Sequence, residues 1–213
     1  MTFEKILNMF VVLLVVIDPV GVTPVFGALT RGGGALYRRR MAFKGTALAA
    51  AILLVFAFIG DWLLTTLGIT LPAFKIAGGI LLFGVALDLM RAKRVETRAT
   101  KAEADEAETR EDVAVIPLGV PLLAGPGAVA TVMVLVGRSQ TLAERAVVFA
   151  AIAAVGAASL LVLRSAPLVA RVLGTTGINI VGRVMGLILA AVATQFVIDG
   201  ATGAFPHLLA GAR

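Results

Sequence analysis

The sequence predicts an all-α membrane protein with six transmembrane helices, arranged as two inverted repeats of three helices each. Three observations lead to this fold class. The chain is 59% hydrophobic and only 15% charged, whereas soluble domains carry roughly a quarter charged residues. Six apolar runs are long enough to cross a membrane. Two of these runs are interrupted by proline and glycine at equivalent positions in the two halves of the chain.

The apolar runs each reach the roughly 20 residues that a transmembrane helix needs. The predicted spans are 5–29, 43–68, 72–90, 113–136, 143–163 and 179–200. The first run is interpreted as a retained helix rather than a signal peptide, because no small-residue cleavage site follows it. The segment 163–178 is apolar but carries two arginines, which is compatible with an interfacial segment.

The distribution of charged residues and the alignment of the two halves of the sequence divide the chain into three parts. They are a first repeat at 1–90, a charged linker at 91–112 and a second repeat at 113–213. The alignment that places Pro19 on Pro126 also places Gly79 on Gly186 without a gap, and we call this alignment the repeat register. Because each repeat holds an odd number of spans, the second repeat must enter the membrane in the opposite orientation to the first.

The basic residues are concentrated on one side of the predicted membrane topology. Segments 30–44, 91–112 and 164–178 hold thirteen of the nineteen Lys and Arg residues, against four on the other side. The positive-inside rule therefore places these segments in the cytoplasm and both termini outside. The same loops account for the net charge of +6, so we expect a lipid bilayer as the partner and no nucleic acid.

The amino-acid composition also limits which kinds of metal, cofactor and catalytic site the chain can form. The chain has no cysteine, and its one histidine, His207, lies in the C-terminal tail. Cysteine sites are excluded, and we expect neither a metal site nor a cofactor. No pair of nucleophile and base is evident within the spans, so we do not expect an enzyme.

The two Pro-Gly breaks are the strongest functional signal. In lipid, an interrupted helix is tolerated only where it lines a cavity or is buried in protein, and matched breaks in two halves are typical of a transporter binding site. The candidate substrate-binding residues are Asp18, Pro19, Gly21 and Thr23 at the first break and Gly125, Pro126, Gly127 and Thr131 at the second.

Each break should expose N–H groups at the start of one half-helix and carbonyl groups at the end of the other. The N–H groups suit a carboxylate and the carbonyl groups suit an ammonium or a cation. Asp18 could bind an ammonium, a cation or a proton. It could also cap the half-helix that follows, and the two roles are compatible. The hydroxyls of Thr23 and Thr131 could reach a ligand or bond back to their own helix.

These motifs resemble the MarC family of six-span bacterial membrane proteins. Residues 18–26 (DPVGVTPVF) resemble its first signature, and residues 115–128 (VIPLGVPLLAGPGA) resemble its second, more specific one. Residues 74–83 and 182–200 are similar to its third and last spans. A position that is often asparagine in the family is Val22 in this chain. The resemblance implies an inner-membrane transporter or exporter of small neutral amino acids such as glycine and alanine.

Residues and resemblance together predict a secondary transporter of small neutral amino acids in the bacterial inner membrane. No nucleotide-binding pattern is present, so we expect coupling to a gradient of H⁺ or Na⁺. The alternative is an ion or small-solute channel in which the two breaks form the pore. The sequence is also compatible with a homo-oligomer.

Overall fold

The computed structural model describes residues 3–30, 33–91, 118–119 and 122–205. Within these residues the chain forms seven α-helices and no β-strand, which confirms the all-α class. The helices are α1 (Phe3–Ile17), α2 (Pro19–Leu29), α3 (Ala35–Thr66), α4 (Leu71–Met90), α5 (Pro126–Gly137), α6 (Leu142–Arg164) and α7 (Ala166–Ala204). Apart from Arg91, the predicted linker 91–112 lies outside the described residues, as does His207.

Five stretches of the described chain are long and apolar enough to cross a membrane. They are Glu4–Gly27, Ala35–Thr66, Leu71–Met90, Leu142–Arg164 and Thr176–Ala204. Each corresponds to one predicted span. The predicted span at 113–136 is described only in part, as short turns before Gly125 and as α5, which has 12 residues. That sixth span therefore stays a prediction.

Two helix boundaries differ from the predicted spans. Helix α3 begins at Ala35, well before the predicted start at 43, because its first turns include basic residues that hydropathy alone excludes from a span. The segment 163–178 is largely helical, with α6 ending at Arg164 and α7 beginning at Ala166. Gly174 then interrupts α7 with φ 59° and ψ −177°, a conformation that glycine adopts readily.

Among the described helices, α4 and α7 make the most extensive contact, and glycines allow their backbones to approach closely. A Cβ atom added at Gly79 would lie 2.7 Å from the backbone oxygen of Ala193, and one added at Gly200 would lie 2.7 Å from that of Pro72. The two contacts show that the helices run antiparallel. Any side chain at these positions would push the helix backbones apart, so small residues set the spacing, as is usual between membrane helices.

The two ends of the bundle differ in their charges. At one end, ion pairs link α1 to α6 (Lys5–Glu144, 3.7 Å), α3 to α6 (Asp61–Arg145, 2.8 Å) and the C-cap residue of α5 to α7 (Arg138–Asp199). At the other end, Arg38, Arg39 and Arg164 line an open cleft of about 210 Å³. Helix α3, with Arg38 in its first turn and Asp61 near its last, joins these two ends.

Candidate functional site

The first junction (Asp18–Gly21) separates α1 from α2. Asp18 lies between the helices with φ 45°, in the left-handed region, which few residues other than glycine enter and which aspartate tolerates better than most. Pro19 starts α2 and has no backbone N–H to continue the hydrogen bonds of α1. The Asp18 N–H still donates to the Leu14 carbonyl at 2.9 Å, so α1 is satisfied up to the junction.

The carboxylate of Asp18 caps the start of α2. Its Oδ1 accepts a hydrogen bond from the Gly21 N–H at 3.1 Å, while the side chain is only 3% exposed. This is the contact from an N-cap residue to the third helical residue, and it places a negative charge at the positive end of the helix dipole. The capping role considered from the sequence is therefore present in the structure.

The second junction (Gly125–Ala128) starts α5. Gly125 is the N-cap, with φ −72° and ψ 167°, and Pro126 is the first helical residue. The residue before the cap, Ala124, donates its N–H to the Gly119 carbonyl at 3.0 Å, which closes a wide turn. No side chain of Gly125 is available to cap α5, and both Gly127 and Ala128 are buried.

The two cap positions are equivalent, because the repeat register places Asp18 on Gly125. Aspartate and glycine both favour the N-cap, but only aspartate supplies an acceptor. The two helix starts therefore have the same backbone role and different electrostatic character. At α2 a carboxylate compensates the helix dipole, whereas at α5 the cap residue leaves that positive end without a side-chain anion.

Both candidate threonines bond back to their own helix. Thr23 Oγ1 donates to the Pro19 carbonyl at 3.2 Å, and Thr131 Oγ1 donates to the Gly127 carbonyl at 2.8 Å. Both residues are buried, at 2% and 0% exposure. A hydroxyl that donates in this way keeps lone pairs for a further contact, so these threonines can act toward a ligand only as acceptors while the helix bond persists.

The chain segments just before the two junctions come together in the bundle. Helix α1 packs against α5, and Ile17 and Leu123 line the same small cavity. Gly127 instead faces α4, where an added Cβ would lie 2.6 Å from Leu82 Cδ2. The small size of Gly127 therefore allows α5 to approach α4, and a larger residue there would disturb that packing.

The interhelix ion pairs are charged contacts that sequence reasoning missed. Asp61 lies near the end of α3, and its partner Arg145 lies 84 residues away along the chain. Asp199 accepts from both Arg138 and, at 2.6 Å, Gln195 Nε2. The ion-pair separations of 61 and 84 residues leave no local pattern in a sequence. Among the described residues, no group of three acidic or histidine side chains could hold a metal ion.

Five described helices that are long and apolar enough to cross a membrane define a multi-pass integral membrane protein. The chain belongs to the MarC family, because a model described as "MarC family integral membrane protein" matches residues 3–205.

Curated relatives cover nearly the whole chain. It is 39% identical over 198 residues to a UPF0056 membrane protein of Aquifex aeolicus, covering 93% of this chain and 92% of the relative. It is 36% identical over 207 residues to the UPF0056 membrane protein YhcE of Escherichia coli, with coverage of 97% and 96%. The UPF0056 membrane protein YvbG of Bacillus subtilis is 36% identical over 209 residues, with coverage of 98% and 99%. No solved structure matches the chain.

Proposed function

We propose that this protein is a secondary transporter or exporter of small neutral amino acids, such as glycine and alanine, across the bacterial inner membrane. The observation that carries the proposal is the pair of helix starts at equivalent places in the repeat register, one capped by the buried carboxylate of Asp18 and the other by the half-buried Gly125. A zwitterion needs a positive and a negative environment a few ångströms apart, and opposed helix ends can supply both.

The packing of α4 against α7 supports an inverted repeat. If a two-fold axis exchanges the repeats, the contact between Gly79 and Ala193 requires an equivalent contact between Ala86 and Gly186. A Cβ added at Gly186 would indeed lie 3.0 Å from the Ala86 backbone oxygen. The helix pairs α4–α5 and α2–α7, which the same operation exchanges, are both in contact. For antiparallel membrane helices, such an axis lies in the membrane plane, as in inverted-topology transporters.

In the proposed site, the two junctions take different ends of the substrate. The carboxylate binds N–H groups at the start of α5, where the cap residue, Gly125, carries no charge. The ammonium faces Asp18 and the carbonyl groups at the end of α1. A buried carboxylate is also suited to carrying the coupling ion, H⁺ or Na⁺, which supplies the energy in the absence of a nucleotide-binding motif.

A counterflow assay distinguishes the proposed carrier from the alternative, a channel. Purified protein in liposomes preloaded with unlabelled alanine should transiently accumulate labelled alanine above the external concentration, because a carrier exchanges one substrate for another. Protein-free liposomes are the control. Equilibration without overshoot would favour a pore, and no uptake of glycine or alanine would refute the proposed substrate class.

The proposed orientation places both termini outside and the linker 91–112 in the cytoplasm, from the distribution of basic residues. The chain has no native cysteine, so single cysteines introduced at Ser139 and Thr100 can be labelled separately. An impermeant thiol reagent applied to intact cells should modify position 139 and leave position 100 protected. The reverse pattern would overturn the orientation.

A further inference from the structure

Ser159 on α6 differs from the other buried hydroxyl residues of the described chain. Four buried threonines donate their hydroxyls to the backbone carbonyl four residues earlier: Thr23, Thr30, Thr46 and Thr131. Ser159 is 2% exposed, and its Oγ has no hydrogen-bond partner among the described residues. A buried hydroxyl without a partner costs free energy, so its presence calls for an explanation such as a ligand or bound water.

The Ser159 side chain lines a small cavity between α3 and α6. Its walls include the small residues Ala50 and Gly156, together with Ile17 and Leu123 from the segments before the two junctions. The cavity measures about 10 Å³, which is close to the space that one water-sized group occupies. Most of the wall is apolar, so Ser159 is well placed to orient a polar group that enters.

The position of the cavity in the proposed repeat is informative. The repeat register carries Ala49 onto Gly156 and Ala50 onto Ala157. A Cβ added at Gly156 would lie 3.5 Å from the Ala50 Cβ. Exchanging the two repeats turns this contact between Ala50 and Gly156 into one between Ala157 and Ala49, only one residue away on each helix. Such a contact lies beside the pseudo-two-fold axis, where inverted-repeat transporters hold their substrates.

We infer that Ser159 lies on the substrate path and contacts the polar end of the transported solute, while Ala50 and Gly156 limit the size of that solute. This inference rests on the proposed transport function. A hydroxyl both donates and accepts, so it can pair with an ammonium or with a carboxylate. The cavity admits one water-sized group in this conformation, and α3 and α6 must separate for a whole amino acid to pass.

Thiol accessibility tests the place of Ser159 on the path. In the cysteine-free chain, Ser159→Cys introduces a single thiol. Val155→Cys is the matched control, because Val155 lies one turn earlier on α6, is 0% exposed and does not line the cavity. We expect 2-aminoethyl methanethiosulfonate to modify position 159 at least about tenfold faster than position 155, and millimolar glycine or alanine to slow that reaction.

Each outcome of the thiol experiment decides a different point. Reaction at position 159 with protection by glycine or alanine supports both the inference and the proposed substrate class. Reaction without protection by either amino acid supports the path but contradicts the substrate class. A thiol at position 159 that is as unreactive as the one at position 155 overturns the inference, whatever the protein transports.

Gly156→Ala tests the proposed size limit. The added methyl group makes only an ordinary contact with Ala50, so the variant should fold while filling the cavity. We expect the ratio of alanine to glycine uptake to fall at least threefold. Gly84→Ala is the control, because an added Cβ there meets nothing within 4 Å. An unchanged ratio in Gly156→Ala would show that this cavity does not select solutes by size.

Discussion

The two helix junctions share a proline at the first helical position and differ in the conformation and charge of the cap residue. Each helix start has proline as its first residue, and the repeat register places one proline on the other. At the first junction, Asp18 adopts φ 45° and its carboxylate caps α2. At the second, Gly125 adopts an ordinary extended conformation and offers no side chain. Equivalent positions in the repeat register can therefore form two chemically different helix starts, and the cap residue makes the difference.

Replacing Asp18 should have the largest effect. Asp18→Ala removes the carboxylate, leaves the Gly21 N–H without its acceptor and puts a strained residue at φ 45°. We expect at least about 100-fold loss of uptake in proteoliposomes, because the variant loses both the carboxylate proposed to bind the ammonium or the coupling ion and a helix cap worth about 1 kcal/mol. The variant should still insert in the membrane.

Asp18→Asn separates charge from capping. Asparagine keeps an acceptor for Gly21 and tolerates the left-handed conformation, so thermal unfolding in detergent should shift little. Ion-coupled uptake should be lost while exchange without a gradient is retained in part. Uphill transport by Asp18→Asn at the wild-type rate would show that the carboxylate charge plays no part in the mechanism.

The converse change at the second junction should have the next largest effect. Gly125→Asp places a carboxylate at the equivalent cap, where φ −72° accepts a side chain without strain. The cap should stabilise α5 by about 0.5–2 kcal/mol, while the new charge repels the substrate carboxylate. We expect the apparent substrate affinity to fall at least about tenfold, with a raised melting temperature.

Gly125→Asn is the matched control, because it supplies the cap without the charge. Its uptake should lie much closer to that of the wild type than the uptake of Gly125→Asp. Equal losses in the two variants would mean that any side chain obstructs this position. Unchanged affinity in Gly125→Asp would remove the start of α5 from the binding site.

Some parts of this arrangement could be predicted from the sequence and others could not. The helix starts at Pro19 and Pro126 could be predicted, because proline lacks a backbone N–H donor wherever it occurs. Span lengths follow from hydropathy, since lipid requires about 20 apolar residues. Contacts between residues that are far apart in the sequence leave no such local pattern. Neither the Arg145–Asp61 pair nor the cavity at Ser159 has a sequence pattern, because each depends on how distant helices pack.

Each junction also has a buried threonine, and a smaller effect is expected from replacing either one. Thr131→Val and Thr23→Val remove hydroxyls that already donate to their own helices, at 2.8 and 3.2 Å. Only acceptor contacts to the substrate can be lost, and one such hydrogen bond is worth about 0.5–1.5 kcal/mol. We therefore expect KM to rise about two- to tenfold with little change in maximal rate. A loss as large as that of Asp18→Ala would assign these residues a structural role instead.

The smallest effect is expected at the end of the bundle that holds the ion pairs. In the repeat register, Arg145 corresponds to Arg38 and Asp61 to Leu168, so the repeat keeps the arginine and lacks the acid. The pair is about half exposed on both sides, and such surface pairs contribute only about 0–1 kcal/mol. Asp61→Asn should therefore change uptake by less than about threefold and lower the melting temperature slightly, with Asp88→Asn as a control from another helix end. If Asp61→Asn instead abolished transport as completely as Asp18→Ala, the functional asymmetry of the two repeats would lie at the end of the bundle rather than at the two junctions.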